Sequence, residues 1–577
     1  MNVRRDWVFG SVFALTVVAL LGAVGAVVLG LERLAPAPPV DPPAVVSAVD
    51  EPVAGTWVCG FGDARRDADA RVIAVRPGTV GDPPASYDLE QLHDGTLEAI
   101  ADDQLFAGSA ADTAITTDTD LSASVLRWRG APVATWREWS LQATEDVPAA
   151  TVAGPCQLPW APQWYIPGLS TEGGDEARIR LTNSYAGAAT VAVGFRSPTG
   201  VEEPLILRNV TVPGRSTREI VVNDTLPERA DLGAVVEVVA GRVSVEGVQL
   251  TRAAIGDVDG ASLLAAAPAA REEWTIPWLV DDAARSSWLW VMNPGERTAT
   301  VELTLHTDTG GVVPDGLAEV TVPPGQQRRL DLSGTAPEDV AVTALTARSN
   351  GAPVVISGAT LWEAGSPELT GLSVQLGVEP DPAWLVSGTA AGGRTETLRL
   401  VNPTSEAVVV DVRLFDGLRA LEPAALQELE LPPGVAITVP LDEHLEGVDT
   451  WTALIDARGG AIVAGRAGSV VEPSGGDTAG EDDSDAAPDG SPDPVGGDAR
   501  RLVAVPGIPS ASWSPRPVEL RARASDRLVL DLRTVDGIDP TAEVEPAPAG
   551  PTDDGPGDPA GDGSAEVDDD APGPDDG

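Results

Sequence analysis

The sequence predicts an all-β chain: tandem immunoglobulin-like antiparallel β-sandwich repeats of about 110 residues, set behind an N-terminal transmembrane helix. Three observations carry that prediction. Markers recur at one spacing through the middle of the chain, the segments between them alternate apolar and polar residues, and the start of the chain holds one long uncharged apolar run.

The repeat is defined by three markers that keep register. A Trp opens each unit at Trp164, Trp274 and Trp384, followed by Ile-Pro-Gly-Leu, Ile-Pro-Trp-Leu and the diverged Leu-Val-Ser-Gly. An Asn closes a strand at Asn183, Asn293 and Asn402, with Pro294 and Pro403 after it in two copies. A turn of Val or Leu, one or two Pro, then Gly ends at Gly214, Gly325 and Gly434. Between markers the period is 2, as half-buried strands require. Val191, Val193 and Phe195 align with Val301, Leu303 and Leu305 and with Val410, Val412 and Leu414, while Glu302, Thr304, Asp411 and Arg413 interleave. Just before each Asn, Ile179 and Leu181 align with Leu289 and Val291 and with Leu398 and Leu400. About seven short strands per unit, punctuated by Gly and Pro, describe a sandwich; a propeller is the rival, with blades nearer half this length.

A degenerate copy precedes these three. Trp57 stands 107 residues before Trp164, Arg76-Pro77 takes the place of Asn-Pro, and Gly130-Ala131-Pro132-Val133 matches Gly351-Ala352-Pro353-Val354. Residues 78 to 121 break the strand pattern and read as an inserted loop or short helix. Cys59 and Cys156 are the two cysteines. In an exported chain they are expected to form one disulfide that staples this copy as a cap.

At the N-terminus Arg4 and Arg5 precede an apolar run from Trp7 to Leu31, long enough to span a bilayer. Pro36, Pro38 and Pro39 stand where a signal peptidase would cut, so an uncleaved anchor is favoured over a cleaved signal sequence and secretion. The positive-inside rule leaves the bulk of the chain extracytoplasmic. The expected domains are a cytoplasmic stub and anchor at 1–34, a Pro-rich stalk at 35–50, the degenerate repeat at 51–160, and sandwiches at 161–270, 271–380 and 381–471. An acidic linker at 472–499, a short β segment at 500–537 and an acidic tail at 538–577 follow; the linker and tail are too polar to order themselves.

A net charge of −50 sets nucleic acid aside as a partner, since phosphate contacts would begin with repulsion. All 38 basic residues are Arg. The three histidines, His93, His306 and His444, fall in three different units, and no nucleophile elbow, zinc helix or phosphate loop is present. No catalytic residue, metal site or cofactor is therefore expected. The acidic runs Glu481 to Asp485 and Asp568 to Asp570 lack the spacing and glycine of a calcium loop and read as solvated linker.

One motif exceeds this background. In Ser-Trp-Leu-Trp-Val-Met-Asn before Pro294, the alignment assigns Leu289 and Val291 to the core, so Trp288 and Trp290 point outward, where the other copies carry Arg178, Arg180, Thr397 and Arg399. Trp278 replaces the Gly168 of the preceding copy. Outward Trp rings either stack on sugars or pack against a neighbouring unit.

With the anchor, the Trp-x-x-Pro-Gly-Leu opening at Trp164 to Leu169 and the Asn-Pro strand ends in view, the chain resembles an actinobacterial family of uncharacterised membrane-anchored envelope proteins, domain of unknown function family 5719, over about residues 1 to 470. That resemblance implies a supporting role in surface polysaccharide assembly, near envelope glycosyltransferases, and carries over no catalytic residue. The expectation is a non-catalytic structural or interaction protein, a rod of sandwiches at the outer face of the membrane. The alternative is a module that contacts cell-wall glycan or an envelope glycosyltransferase through Trp278, Trp288 and Trp290.

Overall fold

The computed structural model describes residues 53–510, except 62–67, 79–80, 94, 118–121, 142–149, 252–259, 280–283, 315, 336–341, 363–370, 390–394, 417–418 and 472–499. The expected anchor, stalk, linker and tail lie outside the described residues, as does the expected short segment beyond Ser510. Among the described residues no helix is long and apolar enough to cross a membrane.

The first unit lays down eight strands: β1 (Val53–Phe61), β2 (Ala68–Arg76), β3 (Ala85–His93), β4 (Thr96–Leu105), β5 (Ser109–Thr117), β6 (Ser122–Gly130), β7 (Ala134–Leu141) and β8 (Ala150–Pro155). They form two antiparallel sheets, in the orders β1-β6-β3-β4 and β5-β2-β7-β8. The expected break at 78–121 is instead β3, β4 and β5. The segment hides its pattern because only Ala85, Tyr87, Leu89 and Leu92 of β3 are buried, while most of β4 faces outward.

The same order recurs three times. In the second unit one sheet holds Gln163–Leu169, Leu232–Ala240, Ala189–Ser197 and Gly200–Glu202; the other holds Ser216–Val221, Glu176–Asn183, Ser244–Thr251 and Gly260–Ala265. The third unit pairs Glu273–Ile276, Val342–Asn350, Ala299–Thr307 and Gly311–Val312, against Gln326–Asp331, Ala284–Asn293, Val355–Trp362 and Gly371–Leu376. The fourth pairs Ala383–Thr389, Thr450–Arg458, Val408–Asp416 and Arg419–Leu421, against Ala436–Pro440, Thr395–Val401, Val463–Val471 and Arg500–Pro506. Each pair of sheets encloses one apolar cluster; in the second unit Trp164, Val191 and Val236 from one sheet meet Ile179, Val245 and Leu264 from the other.

The strand order differs from the immunoglobulin constant arrangement, in which the first strand lies beside the second and the seventh beside the sixth. Here β1 lies beside β6 and β7 beside β2, so these two strands have exchanged sheets. Alternation decides which face of a strand is buried, and is silent on which edge the strand joins.

The sequence markers are the joints of this design. Each opening Trp donates its indole N–H to a carbonyl beyond a left-handed glycine: Trp57 to Val133 (2.6 Å), Trp164 to Val243 (3.1 Å), Trp274 to Val354 (2.7 Å) and Trp384 to Ile462 (2.8 Å). Trp57 in the same role identifies the degenerate copy as a true equivalent. The buried Asn is a clasp: in Asn183, Asn293 and Asn402 Nδ2 donates to the carbonyl four residues on (Gly187, Arg297, Glu406, each 2.7 Å) and also to Val212, Val322 and Leu431 across the sandwich.

The four units close into a ring. In the second, third and fourth units the sheet that carries the last strand turns its outer face to the preceding unit, and in the first unit that face meets the fourth. Ile73, Val75, Ala134 and Trp136 of the first unit cluster with Leu385 and Ile508 of the fourth. The last strands neighbour one another in turn, β8 beside Gly260–Ala265, that beside Gly371–Leu376, that beside Arg500–Pro506, and the last beside β8 again. The rod expectation is thereby corrected, and so is the cap, because the first unit's outer face is used to close the circle. Arg500–Pro506 completes the fourth unit by pairing with Val463–Val471.

Candidate functional site

The residues that sequence reasoning singled out lie on the faces between units. In Ala284–Asn293 the alternation holds, and Leu289 and Val291 enter the third unit's own cluster. Trp288 and Trp290 point the other way and are buried, 1% and 4% exposed, in the second unit's cluster beside Trp164 and Ile166. The two rings meet edge to face at 5.6 Å, and Arg329 covers Trp288 at 4.4 Å. Trp290 donates to Asp231 of the second unit at 2.9 Å. A Cβ on Gly168, whose φ is +88°, would lie 2.7 Å from the Trp290 ring, so this glycine opens the seat.

Trp278, at the place of Gly168 one unit on, is 6% exposed and is covered by Arg399 of the fourth unit at 4.0 Å. The expectation of an exposed glycan platform at Trp278, Trp288 and Trp290 is therefore corrected: all three rings are spent on unit-to-unit packing. A two-residue alternation shows that a side chain leaves its own core, but not what covers it.

The other two faces carry charge. Between the first and second units, Arg137 meets Glu246 at 2.6 Å, Glu246 also pairs with Arg180 at 3.2 Å, and the Arg137 guanidinium donates to the Gly60 carbonyl. Between the fourth and first, Arg466 bridges Glu138 (3.3 Å) and Glu396 (3.1 Å), and the Thr389 hydroxyl donates to Glu138. Arg137, Arg180 and Arg466 are almost fully buried. Buried charges persist only when so paired, since desolvating each ion costs several kcal/mol. Arg180 was legible as an outward residue; Glu138, Glu246 and Arg466 were not, in a chain where carboxylates are everywhere.

Of the histidines, His306 stands at the third-to-fourth face, Nδ1 against the Gly434 carbonyl (3.0 Å) and Nε2 against the Thr346 hydroxyl (2.7 Å). Burial, helped by Arg348, pushes its imidazole below the usual value, with Gly434 and Glu273 opposing. His93 ends β3 and His444 sits in the turn Asp442–His444, so the three are not brought together. Among the described residues no group of three or more His, Cys, Asp or Glu is placed to hold a metal ion. Cys59 and Cys156 form the expected disulfide, joining β1 to the residue just after β8.

The family described as "Family of unknown function (DUF5719)" matches residues 110–368 and again 335–547. The chain belongs to that family. Matching twice along one chain agrees with the repeated β-rich units, and the two matches together span most of its length. No curated protein matches the chain. A solved structure, the crystal structure of Thermotoga maritima 1070, is 24% identical and covers 19% of this chain and 94% of its own, with a TM-score of 0.17, too low to bear on the fold.

Proposed function

We propose that this family member is a non-catalytic interaction scaffold of an actinobacterial cell envelope, held outside the membrane by its N-terminal segment and supporting surface polysaccharide assembly through partner proteins. The observation that carries this reading is where the chemistry-bearing side chains go. Trp278, Trp288, Trp290, Arg137, Arg180, Glu246, Arg466 and Glu138 all lie buried where one unit meets the next, which supports a rigid body built from the four units. Buried, complementary faces of this kind suit a platform that presents its rim and loops to partners.

The test is in-cell crosslinking of the tagged chain, with a reporter active only outside the cytoplasm fused after Ser510. An active reporter and crosslinks to envelope glycosyltransferases are expected; a silent reporter, or crosslinks confined to cytoplasmic proteins, overturns the reading. The glycan-binding alternative has its own sign. Retention of the full chain on wall polysaccharide, with no envelope protein crosslinked, would favour it over the scaffold.

A further inference from the structure

The outer edge of a unit is built alike in three copies and differently in the first. In the second, third and fourth units the strand that turns back at that edge is short: Gly200–Glu202, Gly311–Val312 and Arg419–Leu421. Each is followed two residues on by Pro204, Pro314 or Pro423, after which the chain returns as a second short piece, Val210–Val212, Glu319–Val322 or Leu429–Leu431. Short edge strands and proline keep other chains from pairing with a sheet. In the first unit the same place holds β4, ten residues from Thr96 to Leu105 with neither Pro nor Gly.

β4 pairs with β3 on one side and, among the described residues, with no strand on the other. Alternate residues of such an edge turn their N–H and C=O away from the sheet. A bulge at Ile100 divides the edge and leaves residues 101–105 in unbroken register against 85–89. Within that stretch the Gln104 N–H is served by a side chain, the Asp103 carboxylate at 2.7 Å. The edge also has a sign. β4 carries Glu98, Asp102 and Asp103, all exposed, and no basic residue. Asp102 stands directly opposite the exposed Asp88 of β3, a like-charge cross-strand pair that weakens the sheet. None of these four carboxylates enters an ion pair among the described residues, whereas Glu90, also on β3, has Arg127.

We propose that the β4 edge docks an extended, basic segment of a partner polypeptide, which adds a fifth strand to the sheet β1-β6-β3-β4. The partner's carbonyl replaces the Asp103 carboxylate on the Gln104 N–H, and its Arg or Lys side chains meet Asp102, Asp103 and Glu98. A second copy of this chain is disfavoured there, because two β4 edges would set acidic residues against acidic residues. The proposal deepens the scaffold reading by naming one contact surface, and rests on it only for the existence of a protein partner. Crosslinking to envelope proteins can succeed through another surface if this edge stays empty, and a pairing edge stands even if the compartment proves wrong.

The probe is a ten-residue peptide alternating Arg with Val, added to the full chain and followed by fluorescence anisotropy and amide hydrogen exchange. Exchange is expected to slow at residues 101–105 and not at the other three edges. Binding should be about tenfold tighter than that of the same peptide with Glu for Arg. Glu98→Arg/Asp102→Arg should reverse that preference, which a loss of folding cannot do. The Arg peptide methylated at every backbone nitrogen keeps its charge and should not bind. Unchanged exchange at 101–105 under saturating peptide, a preference that survives the charge swap, or equal binding of the methylated peptide would overturn the proposal. So would protection of 101–105 in the free full chain that is lost when the chain ends at Ser510, or that grows with protein concentration, since the occupant would then be the chain's own tail or a second copy.

Discussion

The indole N–H of Trp290 in the third unit reaches the Asp231 carboxylate of the second at 2.9 Å, so a residue on one sandwich completes the surface of another. Trp290→Ala empties a seat shaped by Gly168 and should cost about 3–5 kcal/mol, seen as a fall in the thermal midpoint. Trp290→Phe keeps most of the packing and loses the hydrogen bond, for about 1 kcal/mol. Trp288 finds no hydrogen-bond partner for its indole among the described residues, so Trp288→Phe should be close to neutral. Equal losses in the two Phe variants would contradict this account.

Glu138 is shared by Arg466 and Thr389 at the face that closes the ring. Glu138→Ala leaves Arg466 buried with Glu396 as its ion partner and should cost about 1–3 kcal/mol. Small-angle scattering distinguishes the consequence: the wild-type chain has the radius of a closed ring, and the variant is expected to swell at temperatures where the wild type does not.

The Asn clasp makes a prediction that repeats along the chain. Asn402→Ala removes the donor to Glu406 and Leu431 and the acceptor for the Thr404 N–H. It leaves buried backbone groups unmet, for about 2–3 kcal/mol. Asn183→Ala and Asn293→Ala should match it in denaturant melts, because each makes the equivalent bonds.

Burial depresses His306 in the folded chain, whereas an unfolded histidine titrates near pH 6.5. The unfolded state therefore takes up the proton first as pH falls, and the stability present above about pH 6.5 is lost progressively below it. Thermal midpoints should drop between pH 7.5 and 5.5, and His306→Gln should flatten that slope. An unchanged slope in the variant would assign the pH dependence to other groups.

The disulfide closes a span of 97 residues, and by the chain-entropy account its removal costs about 4.7 kcal/mol. Cys59→Ala/Cys156→Ala should lower the thermal midpoint by as much as reductant does to the wild type, and reductant should have no further effect on the variant.

Much of the single unit was legible in the sequence. Trp57, Trp164, Trp274 and Trp384 stand at constant spacing because each ties the first strand to a turn about eighty residues on, and the Asn-Pro strand ends mark a clasp that needs one residue type. The β3 to β5 region was not legible, because a sheet with one largely solvated strand shows little apolar contrast. The outward direction of Trp288 and Trp290 was legible; their burial was not.

What the sequence by itself determined is the period of the units, the inward residues and joints of the three regular copies, and the disulfide of the first. These rest on local alternation and on contacts inside one repeat, which every copy must satisfy alone. The tertiary structure decided which sheet each edge strand joins, and that four units close on themselves with Arg500–Pro506 as the last piece. Those outcomes depend on matching large against small and cation against anion across faces hundreds of residues apart, as Glu138 meets Arg466. No periodicity records such a match.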